Sequence, residues 1–233
     1  MPSPRTRPRR RRGSALAKTA RPQRRRRTVA RMSRRAPAAR FEGRIAGIGT
    51  ASGTRVVIGM WERSPLGRFT DVMIEDGTGH RLLLAPSQAV ADYVSSTYTF
   101  DEVRVVPVET RRVDGGIAVT AGDLAVRLTV GAVSPLGMLM RIVPRRVATA
   151  PLWLRLIDPV ARVLVRGART AGSAGGGKRE YYGVTLVRDV SAAVTTRAGD
   201  DLGPLAPLSP PVRFGFGSAP ARPSLVDVVT TIR

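Results

Sequence analysis

The sequence predicts a β-rich α+β domain, an antiparallel sheet or barrel carrying a central helical insertion and preceded by a disordered basic tail. Three observations predict it. From Phe41 onward, short runs rich in Val, Ile, Leu and Thr alternate with Gly, Pro and Asp at antiparallel-sheet spacings. Ser134 to Arg169 switches to helical periodicity. Residues 1–40 hold fifteen Arg, one Lys and no acid, so most of the net charge of +22 belongs to the tail and the domain 41–233 is only mildly basic.

The tail comes first. Runs Arg9, Arg10, Arg11, Arg12 and Arg24, Arg25, Arg26, Arg27 sit among Pro, Ser, Ala and Thr with almost no large apolar side chains. Nothing there offsets the entropy of ordering the chain. Such a polycation binds nucleic acid without sequence preference, through counterion release; an anionic membrane surface is the other fitting partner. Met32 offers an alternative start that would leave residues 1–31 out. Between the Arg runs only Ala15-Leu16-Ala17 is apolar, too short for a secretory signal. The longest apolar run, Leu128 to Met140, is broken by Gly131 and Pro135 and falls short of the ~18 residues a membrane span needs. A cytoplasmic protein without integral membrane segments is expected.

In the domain, strands are expected at 41–48, 54–62, 69–75, 80–85, 102–109, 116–120 and 123–130. Asp76-Gly77-Thr78-Gly79 and Asp114-Gly115-Gly116 supply turn residues for two hairpins. A short helix fits Pro86 to Val94. In the helical segment, about 134–169, Arg155, Asp158, Arg162, Arg166 and Arg169 project to one face, with Leu152, Trp153, Leu156, Ile157, Val160, Val163 and Leu164 opposite. That stripe suits packing on the sheet; lying on an anionic membrane is the alternative. Asp158-Pro159 predicts a kink or a second helix start. Strands return at 179–187, 191–197, 212–217 and 224–232.

Motifs with catalytic precedent fail on context. Gly172 to Lys178 has phosphate-loop spacing, but Arg179 stands where the magnesium-binding Ser or Thr belongs and a strand follows; a flexible linker fits better. Gly47-Ile48-Gly49 reads as hairpin glycines. His80 is the sole histidine and Cys is absent, which excludes disulfides, thiolate nucleophiles and thiolate metal sites. No metal or other cofactor and no catalytic residue is assigned. Ser-Pro-Leu-Gly occurs at Ser64 and again at Ser134, a weak hint of two related halves.

Pocket candidates are the strand aromatics Trp61, Tyr181, Tyr182, Phe214 and Phe216, together with Glu62 and Asp71, acids that interrupt apolar strands. Glu180 interrupts another. If 212–217 is a strand, Phe214 and Phe216 share a face. The stretches Trp61 through Pro86 and Arg179 through Ser218 resemble an uncharacterised family of bacterial proteins from high-GC genomes, a resemblance that implies a genuine domain and no activity. The expected function is a β-rich binding domain for a small apolar ligand, its pocket lined by strand aromatics and closed by the central helices. A nucleic-acid-associated protein acting through the tail and a carboxylate-dependent hydrolase or isomerase are the alternatives.

Overall fold

The computed structural model describes residues 38–164, 169–173, 175–215 and 219–233. Both tail arginine runs and Phe216 lie outside the described residues. Among the described residues, thirteen strands and four α-helices follow one another. The first half comprises β1 (Ala39–Thr50), β2 (Arg55–Arg63), β3 (Phe69–Glu75), β4 (Arg81–Ala85), α1 (Gln88–Ser95), β5 (Glu102–Val105), β6 (Val108–Val113), β7 (Gly116–Ala121) and β8 (Leu124–Val133). Then come α2 (Pro135–Met140), α3 (Arg145–Ala148), α4 (Pro151–Leu164), β9 (Ala171–Ser173), β10 (Arg179–Arg197), β11 (Asp200–Asp201), β12 (Leu205–Ala206) and β13 (Ser224–Ile232).

All strands join one sheet in the order β5-β4-β3-β2-β1-β13-β10-β8-β7-β6, antiparallel except for the β4–β5 pair. The sheet curls into a half-barrel. Ile48, Ile58, Ile74 and Leu84 from one arm pack in a single cluster with Ile117, Val119, Val126 and Leu128 from the other. Across the gap, the Thr70 and Thr110 hydroxyls lie 3.0 Å apart in a hydrogen bond between β3 and β6. Because successive strand residues point to opposite faces, the alternate set faces outward: Phe41, Phe69 and Leu83 beneath α1, and Val57, Tyr182, Val226 and Val228 beneath the central segment and the loop before β13.

Local chemistry explains the turns. At Asp76–Gly79 the Asp76 carboxylate accepts hydrogen bonds from the Thr78 and His80 amides, and Gly79 takes a φ of 90°. Helix α1 starts where the Ser87 hydroxyl accepts from the Val90 amide.

Four expectations need correction. The strand expected at 102–109 is two: Pro107, which lacks an amide donor, separates β5 and β6, and they run at opposite edges of the sheet. The strands expected at 179–187 and 191–197 are one bent strand, β10, which pairs with β13 and then β8 through register shifts near Thr185, Asp189 and Ser191. Arg213 to Gly215 is loop, so the strand argument about Phe214 falls. Asp158-Pro159 starts no helix; α4 runs through it, because the Asp158 carboxylate is engaged elsewhere. The two Ser-Pro-Leu-Gly copies differ in structure: Ser64 opens a turn and Ser134 caps α2.

The loop between β12 and β13 is held to the outer face by one buried carboxylate. Glu75, fully buried, accepts from the Arg213 amide (2.6 Å) and Arg213 Nε (2.9 Å), with the Arg55 guanidinium 3.4 Å away. Arg55, itself 4% exposed, donates to the Pro210 and Asp76 carbonyls. Removing Glu75 strands a buried guanidinium, so Glu75→Ala is expected to lose about 3–5 kcal/mol in urea unfolding. Arg111→Ala breaks only the exposed pair with Glu109 and should leave the unfolding midpoint where it is.

Candidate functional site

Between the outer sheet face and the central helices lies a cavity of about 600 Å³. Its floor is the outer face: Ile45, Val57, Met73, Val184 and Val226. One wall is the anchored loop, through Val212 and Phe214, joined by Tyr98 and Tyr182. The roof is α2 and α4, through Leu136, Leu139, Trp153, Leu154, Ile157 and Val160. Polar groups are few: the two tyrosines, Ser134, Thr170, Ser224, Asp189, Arg169 and Arg222, the last paired with Asp189 at 2.9 Å.

The roof is held at its ends. Ser134 accepts from the Gly137 amide at 3.0 Å, and Pro135 occupies the first turn of α2. Gly137 lies so close to the Val187 carbonyl that any Cβ would collide with it, so α2 rests directly on the β10 backbone. At the other end, buried Asp158 accepts from the Thr170 amide (2.7 Å), the Thr170 hydroxyl (3.2 Å) and the Ala171 amide (3.1 Å). That clamp turns the Asp158 side of α4 inward. Consequently only part of the predicted apolar stripe faces the cavity: Trp153 and Ile157 do, whereas Leu152 and Leu156 are 70% and 67% exposed.

The sequence candidates are therefore divided. Tyr182 and Phe214 line the cavity. Tyr181, one residue before Tyr182 on the strand, is buried but belongs to the opposite face and is absent from the lining. Trp61 packs beside the cavity lining and against Phe41 and Phe69, and donates from Nε1 to Asp71 at 2.9 Å. Gly59 leaves the room for that pair, since a Cβ there would meet both partners. Glu62 is about half exposed and pairs with Arg44 and Arg68 at the end of β2. It sits where the β1–β2 register shifts between Glu42 and Gly43, so alternation there no longer implies burial. His80 is partly exposed beside Glu102, outside the cavity lining. Among the described residues no three His, Cys, Asp or Glu side chains gather at metal-binding spacing. Within the sequence motif, β9 ends at Ser173 and Gly175–Gly177 forms a short 3₁₀ turn before β10, so the described residues there place no α-helix to hold a phosphate.

Sequence reasoning missed Tyr98. Its hydroxyl donates to Glu180 Oε1 at 2.6 Å and lies 3.2 Å from that of Tyr182. The only signal was its place just after a helix, which does not reveal a partner eighty-two residues away. Burial pushes the Glu180 carboxyl up to about 7, against the tyrosine hydrogen bonds that lower it. Burial likewise pushes Asp71 up to about 7, opposed by the Trp61 indole. The Tyr98 hydroxyl is raised well above its ordinary value, by burial first and then by its neighbours Tyr182 and Glu180.

No protein-family model and no curated protein matches this chain. Among solved structures, it is similar to an acetoacetate decarboxylase from Legionella pneumophila at 9% identity and a TM-score of 0.40, over 84% of each chain. A second acetoacetate decarboxylase aligns at 10% identity and a TM-score of 0.36, over 85% of this chain and 87% of that one. An AttH protein from Nitrosomonas europaea aligns at 10% identity and a TM-score of 0.24, over 83% of this chain and 38% of that one. Similarities this low carry no inference about activity.

The two buried acids set a pH dependence. Their folded-state values lie above the ordinary carboxyl range, so the folded chain holds more protons than the unfolded one between pH of about 4 and 7. Their contribution is full below the unfolded pKa and is lost as pH rises through about 7. The unfolding free energy from urea titration should fall from pH 5 to pH 8 by an amount on the order of a few kcal/mol. Asp71→Asn, which keeps an acceptor for Trp61, should flatten the profile; an unchanged slope in that variant would show that Asp71 is charged in the fold.

Proposed function

We propose that this domain binds a small, mostly apolar molecule in the cavity between its outer sheet face and α2–α4. One observation carries the reading: a space of about 600 Å³ bounded on floor, wall and roof by aliphatic and aromatic side chains. Ligand pockets run from roughly 300 to 1,000 Å³ and are lined this way, with a few placed polar groups. Here those groups are at the margins: the Tyr98 and Tyr182 hydroxyls on one side, Arg169 and Arg222 on another. An apolar body with a single polar end, such as an acyl chain or a terpenoid acid, suits that distribution.

The carboxylate-dependent alternative gains little support. Glu62 and Asp71 are absent from the lining. Glu180 is absent from the lining, and its hydrogen bond from Tyr98 is reason enough for it: it fixes the orientation of a tyrosine whose side chain lines the cavity.

The test is titration with a fluorescent dansyl-labelled fatty acid. Saturable binding near one site per chain is expected, displaced by unlabelled fatty acid. Val226→Trp, on the cavity floor, should fill the space and weaken binding about tenfold or more, the loss expected when a well-packed apolar body is displaced. Phe214→Ala should weaken it less. Probe binding that Val226→Trp leaves unchanged in a folded protein would place the probe elsewhere and defeat the proposal.

A further inference from the structure

We propose that the outer surface of α2–α4 docks on an anionic lipid bilayer. Ten large apolar side chains stand exposed among the described residues, and seven of them fall within residues 138–160. Met138, Leu139 and Ile142 lie on α2 and the turn after it, at 62%, 55% and 76% exposure, with Val147 on α3. Leu152, Leu156 and Val160 follow at intervals of four, forming one stripe along α4. Isolated exposed hydrophobics are ordinary on soluble proteins, whereas a contiguous set marks an interaction face.

Charge identifies the occupant. Residues 134–170 contain seven Arg, no Lys and a single acid, Asp158, and that acid is buried in its clamp to Thr170 and Ala171. Arg141, Arg145, Arg146 and Arg155 are exposed around the apolar stripe. A second copy of the chain, docked face to face, would set these cations against their own equivalents, and Glu42, which meets Arg145 at 3.3 Å, is already shared with Arg40 and Arg63, which disfavours self-association. An anionic bilayer answers both features, taking the apolar stripe below its headgroups and the guanidiniums at them. No described helix is long and apolar enough to cross a membrane, so the segment would lie on the surface.

The placement bears on the cavity. Leu139 and Val160 belong both to the exposed face and to the cavity lining, so docking would turn that margin of the cavity toward the bilayer. The docking itself needs no ligand in the cavity, and its test is independent of the ligand titration.

The experiment is co-sedimentation of the full chain with vesicles of phosphatidylcholine alone and of phosphatidylcholine with phosphatidylglycerol. Because the polycationic tail also attracts anionic lipid, the comparison is with Leu152→Ser/Leu156→Ser/Val160→Ser, which keeps the tail and every arginine. In about 0.5 M salt, where the tail's attraction is largely screened, the triple variant is expected to partition roughly tenfold or more weakly onto the mixed vesicles than the parent. Brominated lipid should quench the emission of Leu156→Trp made in a Trp153→Phe background, which puts the reporter on the exposed stripe itself. This second readout needs none of the serine substitutions. Equal partitioning of parent and triple variant overturns the proposal. So does an absence of quenching, and so does a dimer that the triple variant dissolves without any change in vesicle binding.

Discussion

Strands β1, β2, β3, β10 and β13 are buried on both faces, and the rest of the structure answers that constraint. One face is closed by the curl of the sheet itself, which brings Ile117, Val119 and Leu128 against Ile48, Ile58 and Ile74. The other face cannot be closed that way. It carries Val57, Val226, Val228, Tyr182 and the Trp61–Phe41–Phe69 group, which must be covered by whatever the chain supplies between and after its strands. Helix α1 covers one end and interdigitates with it. The central helices and the loop before β13 cover the other, and there the fit is loose.

The looseness has a physical cause. Helices α2 to α4 are fixed by backbone approaches and clamps: Gly137 against Val187, Gly183 against Ala148 and Thr149, and Asp158 on Thr170 and Ala171. The loop is fixed by Glu75 through Arg213. These contacts lie around the perimeter and are polar or main-chain in character, so they set the height of the cover without demanding that side chains fill the space below it. An apolar cavity persists where the perimeter is rigid and the interior residues are too few to collapse into the gap. The same clamps rotate α4 so that half of its apolar stripe turns outward.

Much of the architecture was readable in advance because it rests on local rules. Runs of Val, Ile, Leu and Thr bounded by Gly, Pro and Asp located β1 to β4, β7, β8 and β13, and the Asp-Gly turns located the β3–β4 and β6–β7 hairpins. The central helices and the pocket they roof follow from the change of period at Ser134. What was not readable depends on distant partners. Pro107 was visible, but that its break sends β6 to the far edge of the sheet is a matter of topology. Asp158 looked like a helix start because its true partners, Thr170 and Ala171, lie a turn and a loop away. Tyr98 drew no attention because Glu180 and Tyr182 arrive from a distant strand, and Glu62 stood out only because it interrupts an apolar strand, at a point where a register shift in the β1–β2 pairing breaks the alternation.

The two buried acids show how burial and function come apart. Asp71 and Glu180 share a raised pKa near 7, the property expected of a general acid or base. Yet Asp71 is satisfied by the Trp61 indole in a niche that Gly59 opens, outside the cavity lining. Glu180 differs, since the hydroxyls it holds belong to residues that do line the cavity. A carboxyl that is neutral in much of the folded population can accept from Tyr98 without bringing a full charge beside an apolar ligand. Replacing it by a charged acid in a wetter site would pull water to the tyrosines and undo the apolar character of that wall. The tyrosine side of the cavity is thus compatible with its apolar remainder because burial has already raised the pKa of the group behind it.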